Sequence, residues 1–184
     1  MLARRDIALI AVFSALAVSS NYAMLGFFQI KLMDSLVFIS AYLFGFRIGA
    51  GVAWITWLVY GSLNPLGSAG FPLLLVLMIG ETVYAASGAL LSRVWKKSTQ
   101  FGARSFARKS LVIGAIGLLS AFVYDLWTNA IDGLMIYRSF DGVIIRMMTG
   151  IYFALVHEVA DFIIFAFAVP ALIISISRAT RIRK

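Results

Sequence analysis

"GIYFALVHEVADFIIFAFAVPALIISIS", residues 150 to 177, is apolar enough to lie in a lipid bilayer, yet "HEVAD" at 157 to 161 holds the chain's only histidine and two carboxylates. An ionisable group at membrane depth costs about 2.5–3.5 kcal/mol or more on insertion scales, so it has a partner, a cavity or a task. Composition decides whether this run is a span. With 62% hydrophobic residues, 13% charged ones and a mean hydropathy of +0.96, the chain exceeds the roughly 45–50% apolar usage of a soluble domain. It reads as an all-α integral membrane protein. A length of 184 residues supplies about six spans of ~20 residues each, in one membrane domain covering 1–184.

Apolar segments run over 7–25, 32–45, 48–61, 71–92, 110–136 and 147–177, parted by polar or glycine-rich breaks. The opening "MLARRDIALIAVFSALAVSSNYA" has the outline of a secretory signal, but 7–25 is long enough to span and is read as the first helix. The short second and third segments are expected to form a tight hairpin through Gly45 and Gly49. Joined instead into one interrupted span over 32–61, they would leave five crossings.

Charge chooses between these. With six crossings, Arg4, Arg5, Arg47, Arg93, Lys96, Lys97, Arg104, Arg108, Lys109, Arg178, Arg181, Arg183 and Lys184 share one side, thirteen of the sixteen basic residues. Lys31, Arg138 and Arg146 lie opposite. Five crossings would put the basic loop over 93–109 across from Arg4 and Arg5, against the positive-inside tendency. Six spans with both termini cytoplasmic is the expected topology, and Pro170 is a candidate kink in the last. The net charge of +8 and pI of 10.1 then reflect cytoplasmic retention of Lys and Arg, and no nucleic-acid partner is expected. The absence of cysteine excludes disulfides, thiolate metal sites and cysteine nucleophiles.

Depth follows from the rise of ~1.5 Å per helical residue. Counted from the outer helix ends, His157 comes to ~16 Å, Glu81 to ~15 Å and Asp125 to ~18 Å. Asp125, Thr128, Asn129 and Asp132 follow the i, i+3, i+4, i+7 pattern of one face. His157, Glu158 and Asp161 fall within an arc of about 100°, and Glu81 and Tyr84 are i, i+3 neighbours. Polar groups at matched depth on three helices point to a water-accessible binding cavity more than to interhelical glue.

Trp57, three residues after Trp54, joins Tyr84, Tyr124 and Trp127 as aromatic surface for a flat ring, the competing reading being an interfacial belt. In "SLNPLGSAGFP", residues 62 to 72, Asn64 is placed to reach a ligand from above or to serve the turn. "GFFQIKLMDS", residues 26 to 35, is a candidate lid. Asp34 reads as the N-cap of the second helix rather than a ligand contact.

"ARRDIALIAVFSALA", "LMDSLVFISAYLFGFRIGAGVAWITWLVYGSLNPLGSAGFPLLL" and "YFALVHEVADFIIFAFAVP" together resemble the substrate-binding S component of energy-coupling factor (ECF) vitamin transporters. The resemblance covers most of the chain and rests on length, span count and diffuse pattern rather than one motif. It implies a protein of the prokaryotic plasma membrane that captures a vitamin or related micronutrient at the outer face with high affinity. Its partners would be a transmembrane coupling (T) subunit and two cytoplasmic ATPases. It also implies a small-xxx-small face on the first helix toward the coupling subunit, here Ala11, Ala15 and Ser19. No G-x-x-x-x-G-K-[ST] signature occurs in the chain, so ATP hydrolysis would fall to partners. The acids around one histidine favour a cationic or N–H-rich ligand, with thiamine-like or riboflavin-like chemistry as candidates.

Three other classes compete. An intramembrane serine protease is suggested by "AASGA", residues 85 to 89, but Ser87 falls at ~24 Å depth, about 8 Å from the level of His157. A metalloenzyme is disfavoured because "HEVAD" lacks the second histidine of H-E-x-x-H. No resident metal or cofactor is expected. A proton-coupled secondary transporter, with His157 and the carboxylates as relay, is the main alternative.

Overall fold

The computed structural model describes residues 3–95 and 103–179, with the side chains of residues 103 and 104 left undescribed. Lys96, Lys97, Arg181, Arg183 and Lys184, on which part of the charge count rests, lie outside the described residues. Six helices follow one another: α1 (Arg4–Ala23), α2 (Met33–Phe44), α3 (Phe46–Leu63), α4 (Phe71–Val94), α5 (Ala103–Tyr137) and α6 (Phe140–Ala179). No strand occurs among the described residues. Four helices are long and apolar enough to cross a membrane: α1, α4, α5 from Ser105 onward, and α6.

Packing is organised around α2. Of its 12 residues only Leu36 and Phe44 are not buried, because other helices surround it. Phe38 packs edge-on against Phe165 of α6, with ring centroids 5.2 Å apart. Such packing, rather than transfer out of water, is what associates helices in lipid, and small residues make it close. A Cβ at Gly88 of α4 would run into the Phe38 carbonyl oxygen, and one at Gly49 of α3 would meet Ala41 and Ala85.

α2 turns into α3 through one residue, Gly45, at φ 103° and ψ 163°, backbone that L side chains rarely adopt. Gly49 stands inside α3 and serves helix approach, so the hairpin needs one glycine for its turn and the other for its packing. The α5–α6 connection is also shorter than the apolar pattern implies. α6 begins at Phe140, three residues after α5 ends at Tyr137 and seven before the expected start at 147, because the Ser139 hydroxyl accepts the Gly142 N–H at 3.2 Å and caps it. At its other end α6 runs on through Pro170 to Ala179.

The α1–α2, α3–α4 and α5–α6 connections gather at one end of the bundle. There the Tyr22 hydroxyl donates to the Leu63 carbonyl at 3.0 Å, and the Trp127 indole N–H to the Val76 carbonyl at 3.0 Å. Gly88→Ala is expected to destabilise the fold by about 1–3 kcal/mol through overpacking against the backbone of α2. A lowered thermal midpoint in detergent, with helix content retained before the transition, is the reading that checks it.

Candidate functional site

A cavity of about 380 Å³ opens at this end of the bundle. The late part of α5 lines it with Tyr124, Asp125, Thr128, Asn129 and Asp132, and α6 supplies Arg146, Gly150, Phe153 and His157. The i, i+3, i+4, i+7 face read on α5 thus points into the space. Asn129 is held by its own helix, Nδ2 donating to the Asp125 carbonyl at 2.8 Å. Gly150 stands opposite it, and a Cβ there would meet Asn129 Oδ1 at 2.7 Å and push the amide aside.

The segment between α1 and α2 covers one side, with Phe28, Gln29 and Lys31 lining the cavity. Phe28 packs on Phe153 with centroids 5.0 Å apart, and Gln29 takes φ 56°. The residues expected as a lid therefore do lie over the space. Lys31 Nζ stands 5.4 Å from the centroid of Trp57, within cation–π range. Trp57 also lies nearly parallel to Tyr124, centroids 6.5 Å apart and planes 14° apart. Trp54 faces outward and takes no part.

His157 closes the bottom. Its Nδ1 lies 3.0 and 3.2 Å from the two oxygens of Asp125. Below it sits a layer that the cavity does not reach: Asp34, Glu81, Tyr84 and Asp161, none more than 2% exposed. His157 Nε2 lies 3.4 Å from Asp34 Oδ2 and 3.4 Å from the Tyr84 oxygen, while the Tyr84 hydroxyl donates to Asp161 Oδ2 at 2.7 Å. The Trp57 indole N–H donates to Glu81 Oε2 at 3.1 Å. One ligand atom each from Asp34, His157 and Asp161 all lie within 4.8 Å of one another, the arrangement in this chain able to hold a metal ion among the described residues.

Several expectations change here. Asp34 is not an N-cap: Leu32 occupies that position, no side chain caps α2, and Asp34 is the second helical residue with its carboxylate turned to His157. Its location still has an electrostatic reason, because the first turn of a helix favours negative charge. Glu81, Tyr84 and Asp161 are buried behind the cavity wall instead of lying on it. Glu158 is one residue, or ~100°, round the helix from His157, and it is half-buried outside the lining. Asn64 Oδ1 accepts the Leu66 N–H at 2.9 Å, which is turn chemistry, while its side borders a second hollow beneath the 24–31 segment.

The charge of the cavity wall is therefore more even than the acid count implied. Asp125 and Asp132 face it together with Lys31 and Arg146, and Arg146 Nε pairs with Asp132 Oδ2 at 2.6 Å. A preference for a cationic ligand does not follow from residues that never reach the cavity. Ser87 does not approach His157 either: its hydroxyl donates to the Tyr84 carbonyl at 3.1 Å and accepts from Ser120 at 3.1 Å. This removes the geometry that a protease dyad requires. On α1, Ala11, Ala15 and Ser19 share the exposed face, opposite buried Phe13, Ser14, Ala17 and Asn21.

No protein-family model, curated protein or solved structure matches this chain.

Trp57→Phe removes the donor to a fully buried carboxyl and is expected to cost about 1–3 kcal/mol of stability. Asp132→Asn opens a pair whose arginine is 43% exposed and is expected to cost less than about 1 kcal/mol. Thermal unfolding of the two variants side by side checks the order.

Proposed function

We propose that the chain is the substrate-binding S component of an ECF-type transporter, capturing a vitamin-like micronutrient at the outer face of a prokaryotic plasma membrane. In this reading all six helices belong to the membrane domain and both termini are cytoplasmic. The observation that carries it is the one-ended cavity. It opens at the end of the bundle remote from most of the basic residues, and His157 with the buried layer beneath it closes the way through. A volume near 380 Å³ suits a small heteroaromatic molecule, since ligand pockets run from ~300 to 1,000 Å³.

The lining describes that molecule further. Tyr124, Trp57, Phe28 and Phe153 offer ring faces and edges, while Asp125, Asn129, Gln29 and Lys31 offer both donors and acceptors. A flat, hydrogen-bond-rich and nearly neutral or zwitterionic ring system fits better than a simple cation. The exposed small-residue face of α1 supports docking on a coupling subunit, because small residues let helix backbones approach. Transport would then need that T subunit and two ATPases, as this chain brings no nucleotide-binding signature.

The relay from Asp125 through His157 to Asp161 favours a second reading, a carrier that moves its substrate with protons. Native mass spectrometry of the detergent-purified chain separates them at the first step, with released small molecules identified. A copurifying vitamin retained by the chain alone supports capture. Uptake by the chain alone in proteoliposomes, driven by a proton gradient, would replace it with the carrier. In the capture reading, Asp125→Asn weakens ligand binding at least about tenfold, the worth of one hydrogen bond to a charged group. Ala15→Trp leaves binding intact and abolishes ATP-dependent uptake when all partners are present. Unchanged uptake in that variant would reject α1 as the docking face.

A further inference from the structure

The layer beneath the cavity floor has no role in ligand capture as described, and its geometry is unusual for a hydrogen-bonded core. Both oxygens of Asp125 hold Nδ1 of His157, which in the neutral ring places the hydrogen on Nδ1 and leaves the Nε2 lone pair facing inward. Three oxygens surround Nε2: Asp34 Oδ2 at 3.4 Å, the Tyr84 oxygen at 3.4 Å and Asp161 Oδ2 at 3.8 Å. Each is longer than the 2.7–3.2 Å of an ordinary N–H···O bond. Donors bound at ~2.0–2.1 Å to a single tetrahedral ion lie ~3.3–3.4 Å from each other, the separation of Nε2 from Asp34, and the Asp161 oxygen lies a few tenths of an ångström beyond it.

A separate observation points the same way. Glu81 is fully buried, and its Oε1 has no hydrogen-bond partner while Oε2 is held by Trp57. Among the described residues no Lys or Arg stands at ion-pairing distance from Asp34, Glu81 or Asp161. Two buried carboxyls, Asp34 and Asp161, thus face one imidazole, and buried charges ordinarily pair or coordinate a metal. The Asp125–His157 contact is the carboxylate–histidine arrangement that orients metal-bound imidazoles.

We propose that Asp34, His157 and Asp161 form a site for one divalent transition-metal ion of zinc-like preference, its fourth position open to water. Asp125 is the positioning residue for the imidazole. One nitrogen among oxygen donors, without sulfur, suits zinc and neighbouring first-row ions more than copper(I) or a cluster. The site lies below the cavity and its existence does not depend on what the cavity captures.

The test uses the full-length chain in detergent, its affinity tag removed, stripped with EDTA, incubated with Zn²⁺ or Co²⁺ alone and desalted. The expected result is one equivalent of metal per chain, with cobalt giving the strong visible absorption of a low-symmetry, four-coordinate site. Asp34→Asn and Asp161→Asn should each abolish stoichiometric retention. Asp125→Asn should weaken it by about 10- to 100-fold, and Asp141→Asn, at the exposed start of α6, should leave it unchanged. Failure of the unsubstituted chain to retain metal overturns the proposal, as does equal retention by the Asp34 and Asp161 variants. If those variants do not fold, X-ray absorption of the zinc-loaded parent decides: a shell of nitrogen and oxygen with a single imidazole supports the site, and a shell without imidazole rejects it.

Discussion

The imidazole of His157 is the piece on which the rest depends. Through Nδ1 it is fixed to α5 at Asp125, and through Nε2 it faces α2 at Asp34 and α4 at Tyr84, while its own helix contributes Asp161. Four helices therefore meet at one five-membered ring buried to 3% exposure. Polar contacts of this kind are worth roughly 0.6–2 kcal/mol each across membrane helices, less than the apolar packing around them. What they add is specificity, because the buried carboxylates have few alternative partners if the helices slide or rotate.

The same ring separates two environments. Above it, acids and bases face a space open to solvent, and Asp132 and Arg146 neutralise each other at 2.6 Å. Below it the carboxyls are buried, and Tyr84, which donates to Asp161, packs in turn on Phe165, itself against Phe38, all three without exposure. Counting acids along the chain merges these two populations. Sorting them by side of the imidazole separates the set that lines the cavity from the set that is enclosed.

Periodicity made much of this legible. The face formed by Asp125, Thr128, Asn129 and Asp132 could be read because α5 is regular and four matches to one spacing leave little freedom. The shared face of Glu81 and Tyr84 was equally readable from their i, i+3 spacing. Their radial position was not, since spacing says which residues share a face and nothing about which helix stands in front of it. Asp34 was misread because a local rule, acid at a helix start, competed with a tertiary fact that no window contains: α2 is sheathed by its neighbours, and its first turn lies at the level of His157. Glu158 failed for a simpler reason, as an arc of 100° on α6 is wide enough to include both the lining and its flank. The helix boundaries at Phe140 and Ala103 went unseen because polar helical turns extend past the apolar stretch and carry no hydropathy signal.

The length of α2 has an architectural effect beyond its burial. It has 12 residues where α4 alongside has 24, a difference of about 18 Å in rise. A helix facing lipid could not stop so early without exposing unpaired backbone to hydrocarbon, whereas one enclosed by protein ends without that penalty. The room it leaves is occupied by the 24–32 segment and the cavity. The size of the cavity thus follows from where one inner helix begins, and its chemistry from side chains on the surrounding helices and on the segment before α2. Adding or deleting a turn at Met33 would resize the chamber while preserving its walls, which separates the evolution of capacity from the evolution of selectivity.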